Sequence, residues 1–135
     1  MTIDYGCSSA ELYSNKKRNG TLACYKNHGV HFNPYINLGT QDITAHVNFS
    51  AIKKWGLDIG LQFTGYTDQA HFLKALGLTG LIREEEKKKN FYPNQISFFL
   101  HSFLIEMGSR IKILIQQKKL RELHLSGLQF AHSLV

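Results

Sequence analysis

The sequence predicts an α/β fold built around one sheet, and three observations carry that expectation. Residues 42–47, 61–67 and 110–116 have strand-like patterns, most plainly where Ile43, Ala45 and Val47 alternate with polar residues and where Ile111, Ile113 and Ile115 recur at every second position. Between them lie stretches whose apolar residues recur at helical spacing, so strand and helix patterns alternate along the chain, as they do where helices cover a sheet. With 135 residues, 43% of them hydrophobic, the chain is the size of a single domain with one core, 1–135.

Taken in order, residues 2–6 (TIDYG) read as the closing residues of a strand that ends in a turn. A parallel strand normally arrives with more apolar residues before it, so the chain is expected to begin partway through an element. Residues 7–41 are polar, aromatic and rich in turn formers. Asn19-Gly20 turns the chain into a short strand at 21–25, and Pro34 fixes the path of a later loop. A long loop of this kind inside a compact domain is more often functional than decorative, so 7–41 is read as an insertion on the active-site side.

The alternation at 42–47 predicts one strand, and Asn48 is placed to cap a helix over 49–56. A strand at 61–67 follows. Thr67 is then expected to cap a helix over 68–77, closed by Gly77. Residues 83–94 (REEEKKKN and its neighbours) form a charged linker or exposed helix in which the runs of opposite sign cancel. Ile96, Phe99, Leu100, Phe103, Leu104 and Met107 keep the spacing of an amphipathic helix that Gly108 stops. A strand at 110–116 closes the series, with 123–130 as its hairpin partner.

The 16 basic and 10 acidic residues leave a net charge of +6, but scattered, so no nucleic-acid patch is expected. No stretch reaches the roughly 20 apolar residues of a membrane span, and the start lacks the apolar core of a signal peptide. Two cysteines, Cys7 and Cys24, make no disulfide framework and suit a reducing, cytoplasmic compartment.

Five stretches together, IDYG, GTLACY, QDITAHVNF, GYTDQAHFLKALGL and EMGSRIKIL, resemble the C-terminal part of the MidA-type methyltransferases. That family includes the mitochondrial complex I assembly-factor methyltransferase. QDITAHVNF is the specific piece. The resemblance implies a partial class I, Rossmann-like mixed sheet, in which residues 110–116 are the antiparallel last strand. It also implies S-adenosylmethionine as methyl donor and the arginine side chain of a protein as acceptor. No G-x-G occurs in the 135 residues, so neither the glycine-rich turn nor the ribose carboxylate of such folds is expected here. The chain by itself is therefore expected to bind no cofactor. Its alternatives are a non-catalytic module that pairs with another polypeptide through an open sheet edge, or an inactive truncated reading frame.

Where the family usually reads HVDF, this chain has Asn48, which caps a helix nearly as well as Asp. Lys17 and Asn27 stand where the family usually has arginine, and neither supplies a planar fork of donors. By the resemblance, Asp4, Tyr5 and Gly6 sit beyond the carboxyl end of a strand, where α/β sheets meet their ligands. Asp4 would then orient a guanidinium and Tyr5 would wall its pocket, against the plain reading of a turn carboxylate and a packed aromatic.

Asp42, Thr44 and His46 fall on one side of the predicted strand, facing either solvent or a pocket. The resemblance favours the pocket, with Asp42 and His46 as catalytic groups and Gln41 and Thr44 binding substrate. The H-x-x-H of His28 and His31 has no supporting carboxylate or cysteine at ligand spacing, so no metal is expected. His71, His101, His124 and His132 read as surface or helix-face residues.

Overall fold

The computed structural model describes residues 1–88, 107–120 and 124–134. Two sheets organise them. The larger has four strands in the order β5-β1-β7-β6, with β1 at Thr2–Cys7, β5 at Val47–Asn48, β6 at Gln62–Asp68 and β7 at Ile111–Gln117. β1 and β5 run parallel, and β7 is antiparallel to both of its neighbours. The mixed sheet with an antiparallel last strand is therefore present. Ile113 and Leu114 of β7 are buried between β1 and β6, which is why this strand reads as an almost continuous apolar run.

The smaller sheet is the antiparallel ribbon β3-β2-β4, made of β2 (Ala23–Lys26), β3 (Gly29–His31) and β4 (Asp42–Thr44). β2 and β3 are joined by Asn27 and His28, both at positive φ, 48° and 62°. That is the conformation a two-residue hairpin turn demands and that Asn tolerates well. The predicted strand at 42–47 is thus two strands in two sheets. Its first half pairs with β2 and its second with β1, and Ala45 and His46 bridge the gap. Nor does the apolar side of β4 anchor a core, since Ile43 is 53% exposed.

Helix α1 (Ser9–Leu12) follows β1, and α2 (Phe49–Asp58) follows β5 without a loop. Asn48 makes this possible. Its Oδ1 accepts from the Ala51 amide at 3.1 Å as the expected cap, and also from Ser9 Oγ at 2.9 Å. One amide side chain thereby ties the starts of both helices together. Phe49, fully buried, carries the core with Tyr66, Leu114 and Leu134, and its ring lies 5.5 Å from that of Tyr66. Burial, helped by nearby Cys7, Glu11 and Asp68, pushes the Tyr66 phenol up to about 12.

Helix α3 (Gln69–Ala75) is capped by Asp68 rather than by Thr67. Thr67 is fully buried and its hydroxyl donates to the Phe130 carbonyl, whereas Asp68 Oδ1 accepts from the His71 amide at 2.9 Å. Gly77 ends the segment at φ +86° as expected. Helix α4 (Leu78–Lys88) runs through the start of the charged stretch, so residues 83–88 are helix; 89–94 lie outside the described residues. The predicted amphipathic helix from Ile96 also lies outside them, apart from Met107.

No strand pairs with β7 at 124–130. Both edges of β7 are already taken by β1 and β6, so a hairpin partner has no place beside it. Residues Ser126–Leu128 instead make a 3-10 turn packed over α3 and β6. Among the described residues no helix is long and apolar enough to cross a membrane.

Candidate functional site

The carboxyl end of β1 meets the smaller sheet at a cleft of about 750 Å³. Its floor is Asp4, Tyr5 and Gly6 of β1, and one wall is Ala23, Tyr25 and Thr44 of the ribbon. Ala45 and His46, the two residues that break the predicted strand, complete that wall. Glu11 and Lys17 close a second side, and Ser109, Arg110 and Lys112 a third. A cleft beyond the carboxyl ends of strands is where α/β sheets hold their ligands.

Five of the predicted residues, Asp4, Tyr5, Gly6, Thr44 and His46, therefore share one cavity. Asp42 and Gln41 do not. Both line a shallower depression of about 490 Å³ with Lys26, Asn27 and His28, and Tyr25 borders both spaces. Asp42 and Thr44 do face the same side of the ribbon, opposite Tyr25 and Ala23 respectively. Gln41 holds the loop, donating from Nε2 to the Pro34 carbonyl at 2.9 Å.

The charges in the cleft are organised in two groups. Across β1 and β7, Asp4 stands directly opposite Lys112. The Asp4 carboxylate also accepts from the Tyr5 amide at 2.7 Å, and Lys112 Nζ donates to the Ser109 carbonyl at 2.6 Å. On the far side, Lys17 Nζ lies 3.7 Å from Glu11 Oε1 and 3.3 Å from His46 Nδ1. An ammonium can only donate, so His46 Nδ1 is the acceptor and its proton sits on Nε2. The His46 amide is fixed to Thr21 Oγ1 at 3.0 Å.

His46 is held below the ordinary imidazole range, first by desolvation and then by the Lys17 charge, with Glu11 opposing. Cys7, buried beneath, is raised by burial and by Glu11. Replacing Lys17 with alanine removes a cation beside the ring and should raise the His46 titration midpoint. Proton NMR of the ring resonances against pH checks this, and an unchanged midpoint would separate the two side chains.

The sequence pointed to Lys17 only as a departure from an expected arginine, and missed Glu11, Arg110 and Lys112. Lys112 interrupts the Ile111–Ile113–Ile115 alternation, a signal that it faces away from those residues. Nothing in a linear reading places Glu11 beside Lys17. A further depression of about 710 Å³, between the start of β6 and the C-terminal turn, contains none of the predicted residues. The His28 and His31 pair gathers no third ligand among the described residues. One group that could hold a metal ion does occur there: Asp68, His71 and His132.

Residues 1–67 match the family model described as “Putative S-adenosyl-L-methionine-dependent methyltransferase”. Over these residues the chain is similar to this family. The match spans β1, the ribbon, β5, α2 and most of β6, hence the floor and the ribbon wall of the cleft. A protein from Burkholderia thailandensis, solved with S-adenosyl-homocysteine bound, is 33% identical, with a TM-score of 0.79 over 96% of this chain and 34% of its own. A second, uncharacterized protein from the same organism is 35% identical, with a TM-score of 0.72 over 86% of this chain and 32% of its own. The chain thus spans about a third of the solved relatives it matches. No curated protein matches it.

Proposed function

We propose that this chain forms the acceptor side of an S-adenosylmethionine-dependent protein arginine methyltransferase of the MidA type. The observation that carries the reading is the cleft: Asp4, Gly6, Thr44 and His46 converge at the carboxyl end of β1. The chain that builds it is 33% identical to a protein that binds S-adenosyl-homocysteine. Methyl transfer to a guanidinium is chiefly a positioning problem, because the acceptor nitrogen must be aimed at the methyl carbon. Asp4 would accept hydrogen bonds from the guanidinium and keep its plane fixed. Tyr5 would border it, and Thr44 would supply a further acceptor from the ribbon. His46, neutral and with a fixed tautomer, stands ready beside them as a hydrogen-bonding and proton-handling group.

S-adenosylmethionine would supply the methyl group. Because no G-x-G occurs in the 135 residues, the donor would be held by the part of the relatives that this chain does not match. The cationic lip of Lys17, Arg110 and Lys112 favours an acceptor segment with acidic neighbours. Titration of the 135-residue chain with S-adenosylmethionine in a calorimeter is expected to show no micromolar binding. An intact protein carrying this segment is expected to methylate arginine peptides; saturable binding by the chain alone would overturn this division of labour.

A second reading rests on the edge of β1. β5 covers only Gly6 and Cys7, so the β1 edge over residues 2–5 has no strand beside it among the described residues. Such an edge accepts another strand. It suits either the remaining sheet of a methyltransferase or a separate partner chain, and co-purification of a stoichiometric partner would favour the latter.

A further inference from the structure

We infer that Asp68, His71 and His132 form a binding site for a borderline divalent metal ion of the zinc class. The three offer one ligand atom each, all within 4.8 Å of one another. His71 Nδ1 lies 2.8 Å from Asp68 Oδ1, and His132 Nε2 lies 3.4 Å from Asp68 Oδ2. Ligands that surround a tetrahedral ion at about 2.0–2.2 Å are themselves spaced at about 3.3 Å, and the two distances to the Asp68 carboxylate lie on either side of that value. Two imidazoles and one carboxylate suit zinc, cobalt or nickel better than calcium or magnesium, which want mostly oxygen.

The site is assembled from distant parts of the chain and held in place by the backbone. Asp68 caps α3, which puts His71 one turn along on the same side. His132 is brought in by its own amide, which donates to the Tyr66 carbonyl at 2.7 Å. The Thr67 hydroxyl fixes Phe130 two residues earlier, at 3.2 Å. The two imidazole planes stand at 90° with centroids 5.1 Å apart, so the rings do not stack face to face. Asp68 is buried, while each histidine side chain is 44% exposed. Solvent can therefore reach one side of the cluster and fill the remaining coordination position, as at sites with three protein ligands.

The ion would act as a clamp. It would fasten the segment around His132 to the β6–α3 corner, so that Leu134 stays in the core and Gly127 stays against the Phe72 ring. It would also act near the cleft. Asp68 stands opposite Lys112 on β7, and Lys112 stands opposite Asp4 on β1, so the three form one row across the sheet. A fastened C-terminal segment steadies the strand that borders the acceptor site.

The test uses the full chain, stripped with a chelator and titrated with Co²⁺ and Zn²⁺. One saturable Co²⁺ site with visible ligand-field bands is expected, displaced by Zn²⁺. With Zn²⁺ at about 100 times its Kd, the melting temperature should rise by about 8 °C. His71→Ala and His132→Ala, changes at half-exposed positions, should each weaken binding by at least about tenfold and cut the thermal shift by about half or more. His124→Ala, outside the cluster, should leave both unchanged. Absence of a saturable Co²⁺ site, or unaltered binding in His132→Ala, would overturn the assignment and leave a hydrogen-bonded Asp–His cap.

Discussion

Gly6→Val is expected to destabilise the protein by at least ~3 kcal/mol, near the upper end for a single overpacking change. A Cβ at this position would stand 2.2 Å from the Val47 carbonyl oxygen and 2.8 Å from the Phe49 ring. The first of these is backbone and cannot rotate away. Relief requires β5 to leave β1, and that pairing consists of only Gly6 with Val47 and Cys7 with Asn48. Phe49, the largest of the fully buried side chains, would move with it. The cleft would suffer as well, because Ala45 and His46 hang from the start of β5. Gly80→Ala is the control: nothing lies within 4 Å of its Cβ, and alanine within α4 should stabilise by about 0.5–1 kcal/mol. Urea unfolding of both variants at comparable m values decides the matter. A loss under about 1 kcal/mol for Gly6→Val would mean that the junction yields easily.

This glycine shows what a linear reading could and could not reach. The α/β class, β7 and its Ile111, Ile113 and Ile115, the Asn48 cap and the Gly77 stop were all legible, because each depends on neighbours within a few residues. Asp4, Tyr5 and Gly6, expected beyond a strand's carboxyl end, lie within β1, and the close approach that makes Gly6 necessary was not legible at all. The error at 42–47 has a definite cause. A regular alternation says that a backbone is extended, not that one strand partner serves its whole length, and here β2 takes the first half and β1 the second. The supposed hairpin at 123–130 failed likewise, since alternation cannot reveal that both edges of β7 were occupied. Contacts between distant segments were out of reach altogether. Asp68 and His71 show an i, i+3 pair at a helix start, yet nothing in the sequence ties His132 to them. Lys17, Glu11 and His46 likewise come from separate segments, and only the folded chain brings Lys17 within reach of both others.

In an intact protein carrying this segment, Asp4→Ala is expected to lower kcat/KM for an arginine peptide by about 10- to 100-fold, with little change in melting temperature. The magnitude follows from the bond at stake. A charge-assisted hydrogen bond between a carboxylate and a guanidinium contributes about 1.5–3 kcal/mol, and alanine forfeits it. The substitution also removes the carboxylate across β1 from Lys112, whose charge then repels the cationic acceptor further. Stability should barely respond, because Asp4 is exposed and its carboxylate accepts a local hydrogen bond, from the Tyr5 amide. Asp42 is the informative comparison. It faces the same side of the ribbon as Thr44 but lies in the neighbouring depression beyond Tyr25. Asp42→Ala should therefore impair a long acceptor chain that runs past Tyr25 and spare a short one, whereas Asp4→Ala should impair both. The two variants, assayed on a short and a long peptide alongside thermal melts, separate the possibilities. Normal turnover by Asp4→Ala on the short peptide would remove the floor of the cleft from the acceptor site. A fall in melting temperature that matches the loss of activity would make Asp4 a residue of the fold alone.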